Sequence, residues 1–398
     1  MKDSALKPGW KSWRFDQIAI NVNERIDDPS KPGVEFYVGL EHLDPDSLKI
    51  RRWGKPEDVE ATKLCFKKGD IIFARRRAYQ RKLGVAEFDG ICSAHAMVLR
   101  PRTDVVLPEF LPFFMQSDLF MNRAVEISVG SLSPTINWKT MAVQQFALPP
   151  LEEQISLIKI LSTTDTVLES LRYLDSLVKK LRSSLAVEYF AQVSKYATKP
   201  CKELIATGDI SLQTGPFGTV LKAASYQSCG YPVINPVNMT NGDLVTINGP
   251  FVSETDWLRL EKYWMKSGDM VMGRKGDMAN LIFVTQEYNE FIVGSDCIRF
   301  RVNSERLHQR YFFHFLGSET TNNWIQGQAY GTVMPGINEK ILGRLIISMP
   351  SKKEQEKIPM EFDKLEATIS IIKSRVDSFF SVKKTLLDST SRGGPYVH

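Results

Sequence analysis

The feature that most constrains this chain is a block written twice. "GSLSPTINWKTMAVQQFALPPLEEQ" runs from Gly130 to Gln154, and "GTVMPGINEKILGRLIISMPSKKEQ" runs from Gly331 to Gln355. Both copies keep a Gly, a Pro, an Ile-Asn pair, a closing Pro and a Glu-Gln at the same internal positions. So long a signal, displaced by 201 residues, marks duplication of a whole folding unit and not a short-period solenoid. Earlier segments pair in the same way. "KKGDIIFARRR" (67–77) matches "KSGDMVMGRKG" (266–276), and each reads as a Gly-Asp turn feeding a short apolar strand that ends in basic residues. "GICSAHAMVLRP" (90–101) matches "FIVGSDCIRFRV" (291–302), a Ser-containing turn and a strand. Amphipathic helices are predicted over 107–125 and 308–326. The offset drifts from 199 to 201, which places the insertions in loops.

Each copy is followed by a heptad pattern. In the first it runs through Leu157, Ile160, Thr164, Val167, Leu171, Leu174, Val178, Leu181 and Leu185. In the second it runs through Ile358, Phe362, Leu365, Ile369, Ile372, Val376, Phe379, Lys383 and Leu386. Thr164 and Lys383 are the only polar members. A 3.5-residue period sustained this long predicts two long helices that pair as a coiled coil. Pro359 lies inside the second pattern, where it should kink the helix or delay its start. The predicted order is a globular unit (1–150), a long helix (151–197), a second globular unit (198–350), a second long helix (351–390) and a loose tail (391–398). The class is α+β.

A chain of 398 residues has room for two or three domains. Its net charge of +5 suits an acidic partner without naming one. The five cysteines, Cys65, Cys92, Cys201, Cys229 and Cys297, are scattered and form no C-x-x-C. That argues against a disulfide framework or zinc knuckle and for a reducing cytoplasm. No apolar run is long enough for a membrane helix and no signal peptide opens the chain, so no membrane association is expected.

Catalytic motifs are hard to find. The sequence has no H-E-x-x-H, G-x-S-x-G, Walker loop or G-x-G-x-x-G. His42, His95, His308 and His314 are badly spaced for a metal and read as structural. "VINPVN" (233–238) loosely resembles the Asn-Pro-Pro-aromatic loop of amino-methyltransferases, but it lacks the second proline, the aromatic and a preceding glycine-rich loop.

The basic clusters are more informative. Residues 67–82 gather Lys67, Lys68, Arg75, Arg76, Arg77, Arg81 and Lys82 against Asp70, with Tyr79 and Gln80 among them. Such a segment faces either solvent or an anion, and arginine forks suit both phosphate and guanine. Arg274 and Lys275 form a thinner version at the matching place. "LQTGPFGTVLKAASY" (212–226) builds a tight turn at Gly215, Pro216 and Gly218 that presents Phe217, with Thr214 before it and Lys222 behind. The bland alternatives for these segments are a solvated charged loop and a hairpin turn.

The Gly-Trp start ("LKPGWKSWRFDQI", 6–18), "TGPFGTVLK", the basic Gly-Asp strand, "GSLSPTIN" and "LPPLEEQISLIKIL" before a long helix occur in one order. Nearly the whole chain resembles the DNA-specificity subunit of type I restriction-modification systems. The resemblance implies two target-recognition domains, each reading half of a split double-stranded DNA site. It implies two antiparallel helices holding them apart with pseudo-twofold symmetry. The subunit would itself be non-catalytic and would recruit two modification (methyltransferase) subunits and restriction subunits. S-adenosylmethionine, ATP and Mg are expected on those partners, with no cofactor or metal on this chain. Candidate DNA contacts are Arg75, Arg76, Arg77, Tyr79, Gln80, Arg81, Lys82, Ser131, Ser133, Thr214, Gly215, Phe217, Lys222, Arg274, Lys275 and Thr332. The second copy departs from the pattern at "MPSKKEQEKIP", and the first unit has no clear Gly-Pro-Phe-Gly loop. The rival readings are a coiled-coil scaffold, a stand-alone specificity subunit of a methylation-only system, and a single-chain enzyme that reads and modifies DNA.

Overall fold

The computed structural model describes residues 6–29, 33–190, 196–240, 243–246, 249–275, 278, 280–328 and 336–391. Its contacts divide into two units, Met1–Arg172 with Ser374–His398, and Tyr173–Lys373. Each unit therefore owns part of both long helices, Leu151–Phe190 and Lys352–Ser391. The division expected from sequence, with globular units separate from spacer helices, is redrawn because the helices complete the cores. Leu161 and Leu387 pack with Phe113 in the first unit. Ala186, Phe190, Ile358 and Phe362 pack with Tyr311 and Phe315 in the second.

The two units are built on one plan. The first has an antiparallel sheet in the order Ala19–Val22, Met97–Pro101, Ile71–Phe73, Leu83–Val85. The second repeats it as Ile210–Thr214, Cys297–Val302, Met270–Gly273, Leu281–Phe283. Ile72 lies opposite Val98, and Val271 lies opposite Arg299, so the register is also repeated. A closing pair joins the start of each unit to the strand before its long helix, Lys11–Arg14 with Gln145–Leu148 and Ala197–Pro200 with Ile346–Met349.

The duplicated signals have identifiable structural uses. Gln154 is fully buried; its amide donates to the carbonyls of Pro149 (2.9 Å) and Val105 (3.2 Å) and accepts from the Leu107 N–H (2.9 Å). Gln355 repeats each bond, donating to Pro350 (3.0 Å) and Arg306 (3.1 Å) and accepting from His308 N–H (2.8 Å). This clamp ties the strand-to-helix corner to the segment that opens the amphipathic helix, and it satisfies backbone groups that burial would otherwise strand. The Gly-Asp turns are equally alike. Asp70 receives both guanidinium nitrogens of Arg100 and the Lys67 N–H, and Asp269 receives those of Arg301 and the Lys266 N–H. Gly69 and Gly268 have φ of 90° and 91°, the left-handed conformation that the turn requires.

The helices run antiparallel in both units. In the first, Leu161 clusters with Leu387 while Asp165 pairs with Lys383. In the second, Arg182 pairs with Glu366 while Tyr189 donates to Glu361. The second helix buries or half-buries Ile358, Phe362, Leu365, Ile369, Ile372, Val376, Phe379 and Leu386, and Lys383 is buried. The first helix departs from its expected seam. Leu157, Leu171, Val178 and Leu185 are half-buried, but Ile160 is 49%, Leu174 44% and Leu181 50% exposed. The buried positions are Leu161, Leu168 and the half-buried Arg182, one residue further along, while Val167 is half-buried. Alternate heptad positions are thus shifted by one. The helix must serve a globular core as well as its partner helix, and Leu161 turns toward Phe113. The second helix starts at Lys352, capped by a reciprocal Ser351–Glu354 pair, and continues through Pro359 without a delayed start.

Candidate nucleic-acid interface

The strand that follows each Gly-Asp turn ends at an arginine held by the duplicated Ile-Asn block. The Ile136 N–H donates to the Arg75 carbonyl (3.0 Å), and the Ile337 N–H donates to the Arg274 carbonyl (2.9 Å). Ile136 and Ile337 are core residues. The opening block thus pins the root of the basic segment in both units, which is one reason it occurs twice.

Beyond Arg75 the first unit forms a tight basic turn. A short 3-10 turn, Ala78–Gln80, is bracketed by Arg77 (φ 59°) and Arg81 (φ 54°), both in the left-handed region. Non-glycine residues there cost on the order of 1 kcal/mol each, so other bonds must hold them. The Arg77 N–H donates to the Pro134 carbonyl (2.7 Å), and the Arg77 guanidinium donates to the Ser133 hydroxyl (3.2 Å). Arg75 donates to the Ala94 carbonyl (3.0 Å), and Arg76 lies 3.5 Å from His95 Nε2. Burial, then Arg76 and Arg75, push the His95 pKa down, which suits an imidazole nitrogen that accepts. Among the described residues no carboxylate forms an ion pair with Arg75, Arg76 or Arg77. Tyr79 is 54% exposed beside them, Gln80 is half-buried, and Ser131 is exposed.

Two expected contacts turn inward. Arg81 pairs with Asp46 (2.7 Å) and Asp118 (2.9 Å) and donates to the Gln116 carbonyl, and the Lys82 ammonium donates to the Leu40 carbonyl (3.0 Å). Their charge is spent on tertiary contacts. The matching residue to Arg81 in the second unit, Asn280, likewise donates to the carbonyls of Pro236 and Met239.

The second unit differs at the same place. Lys275 pairs with Asp296 (2.8 Å), which stands where the first unit has His95. Arg274 is half-buried, like Arg75. The Thr214–Lys222 loop is fixed at its root. Glu339 accepts from both the backbone N–H and the hydroxyl of Thr214 (2.7 Å each), and Gly215 is buried so closely that a Cβ would meet the Gly294 carbonyl. Thr214 and Gly215 are therefore fasteners and not open contacts. Beyond them Phe217 is 65% exposed and Lys222 is exposed. Thr332 lies outside the described residues.

Sequence spacing also hid a cluster on His314. Its Nε2 is 3.0 Å from Asp363, and its Nδ1 is 3.6 Å from Glu366. These groups could approach a metal ion together, but Arg310 already pairs with Asp363 and Arg182 with Glu366. The arrangement is an ion-pair network across the helix junction.

Fold and surface define an internally duplicated two-unit protein with a shared scaffold and unlike exposed segments at matching places. The family model described as "Type I restriction modification DNA specificity domain" matches residues 57–177 and 213–378, and the chain belongs to that family. It is similar to the type I restriction enzyme EcoDI specificity subunit of Escherichia coli, 28% identical over 184 residues, 46% of this chain and 39% of that one. It is 22% identical over 196 residues to the HindI specificity subunit of Haemophilus influenzae, 48% of this chain and 42% of that one. The matches thus span about two fifths of these relatives' lengths. The crystal structure of a type I restriction-modification S subunit from M. genitalium aligns with a TM-score of 0.59 at 15% identity, over 100% of this chain and 99% of that one. That likeness concerns the fold.

Proposed function

We propose that this chain is the DNA-reading subunit of a type I restriction-modification complex, with each unit recognising one half of a bipartite duplex site. The carrying observation is that the family match falls in both halves of a duplicated scaffold while the exposed segments differ: "ARRRAYQRKLG" in one unit, "GRKGDMANLI" in the other. Two different half-sites call for that combination. The chain performs no chemistry in this reading. It recruits two modification subunits, which carry S-adenosylmethionine and methylate adenine, and restriction subunits, which use ATP and Mg. It works in the cytoplasm; among the described residues no helix is long and apolar enough to cross a membrane.

Adenine methylation mapped across the genome with and without this gene tests the assignment. Loss of methylation at one split motif supports it, and an unchanged methylome refutes it. The scaffold alternative is separated by retention on duplex DNA. A reader loses affinity steeply with salt because bound phosphates release counterions, whereas a scaffold is not retained.

A further inference from the structure

The duplicated strand ends match in backbone but not in charge. In the first unit Arg76 faces a neutral histidine and Arg77 a serine hydroxyl, so two guanidinium charges stay uncompensated at a surface held firm by Pro134 and Ile136. In the second, Lys275 is neutralised by Asp296. The exposed element there is Phe217, carried on a glycine turn (Gly218, φ 61°) whose root is locked by Glu339 and whose far side is held by Arg259 donating to the Val220 carbonyl (2.9 Å). A rigid loop with an aromatic tip suits apolar contact in a groove or at a base step. An uncompensated arginine pair suits phosphate and guanine.

Resting on the reading of the chain as a DNA-binding subunit, we propose that its two units hold their half-sites by different elements. The first uses the Arg76–Arg77 strand end. The second uses Phe217 at the tip of the Thr214–Lys222 loop, and its Lys275 keeps only a structural part.

The test uses the full chain and a randomised duplex library. Selection on the parent defines its two half-sites and the salt slope of binding. Arg76→Ala with Arg77→Ala should weaken binding ten-fold or more. It should lower the log–log salt slope by about two, near 0.9 per phosphate released, and relax base preference in one half-site. Phe217→Ala should relax the other half-site and leave the slope unchanged. Lys275→Ala should leave both the selected sequence and the slope as in the parent. All these side chains are at least partly exposed, and an unchanged unfolding midpoint confirms intact folding. If Lys275→Ala lowers the slope as much as the arginine pair does, or Phe217→Ala selects the parental sequence, the division between elements is wrong though the chain reads DNA. If the parent enriches no sequence, the underlying reading fails and takes this inference with it.

Discussion

At one position in the second strand of each main sheet, the first unit buries Val98 and the second buries Arg299. Each faces the central strand in the same register, opposite Ile72 and Val271. Around Val98 the Gly-Asp carboxylate, Asp70, has one arginine partner, Arg100, whose side chain is 45% exposed. Around Arg299 the equivalent Asp269 meets two arginines, Arg299 and Arg301, and Arg299 also donates to the carbonyls of Lys262 and Trp264. Burial, then Arg301, lower the Arg299 pKa to about 10, with Asp269 opposing them. A duplicated backbone can thus carry an apolar junction in one copy and a charged one in the other, provided a carboxylate already stands nearby.

The largest expected effect breaks that carboxylate. Asp269→Asn leaves Arg299 buried beside Arg301 without its counter-charge and should destabilise the second unit by about 3–5 kcal/mol. Asp70→Asn should cost the first unit less, about 1–2 kcal/mol, because Arg100 can rehydrate. Urea unfolding with hydrogen exchange resolved by unit measures both, and equal losses would show that Arg299 is not the cause of the asymmetry.

Where the units agree, the expected effects agree as well. Gln154→Ala and Gln355→Ala each remove three hydrogen bonds at a buried corner and should each cost about 2–4 kcal/mol. A cost several-fold larger in one unit would mean that the clamps are alike in geometry only.

The cross-helix pairs are related by the duplication but unequal in burial. Asp165→Ala strands Lys383, whose side chain is 4% exposed, and should cost about 2–3 kcal/mol. Glu366→Ala leaves the more exposed Arg182 and should cost about 1 kcal/mol or less. Unfolding midpoints of the two variants give the comparison directly.

The smallest effect is one of pH. His314 occupies the position held by Phe113 in the first unit. Burial lowers its pKa, against the raising influence of Glu366 and Asp363, and Arg310 adds to the lowering. The fold therefore favours the neutral ring, and the unfolded chain takes up the proton first, near pH 6.5. Stability should be intact above that pH and fall as pH drops below it. His314→Phe should flatten the slope of the unfolding midpoint between about pH 7 and pH 5, with Arg182, Arg310, Asp363 and Glu366 left in place. An unchanged slope would assign the pH dependence to other groups.

Much of the plan was legible in the sequence because it rests on local rules. The Gly-Asp turns need glycine at positive φ, the Ile-Asn and Glu-Gln positions recur because each makes the same bonds, and the long helices follow from their period. The seam of the first helix was misread by one residue at alternate positions. A 3.5-residue period gives the stripe, but which edge of the stripe is buried depends on Phe113 and the rest of a core assembled from distant segments.

The candidate interface divides along the same line. The amino-acid sequence by itself determined the duplication, the basic strand ends, the glycine loop and the unlike residues carried between matching anchors. These are properties of spacing and residue type. Only the tertiary structure decided which charges stay available. Arg81 and Lys82 are spent on Asp46, Asp118 and a carbonyl of residue 40, and Lys275 is spent on Asp296, while Arg76 meets a histidine. The partners that spend or spare a charge lie about 20 to 40 residues away in the chain. Electrostatic attraction acts over a few ångströms, so the fold had to bring them together before the charge could be assigned.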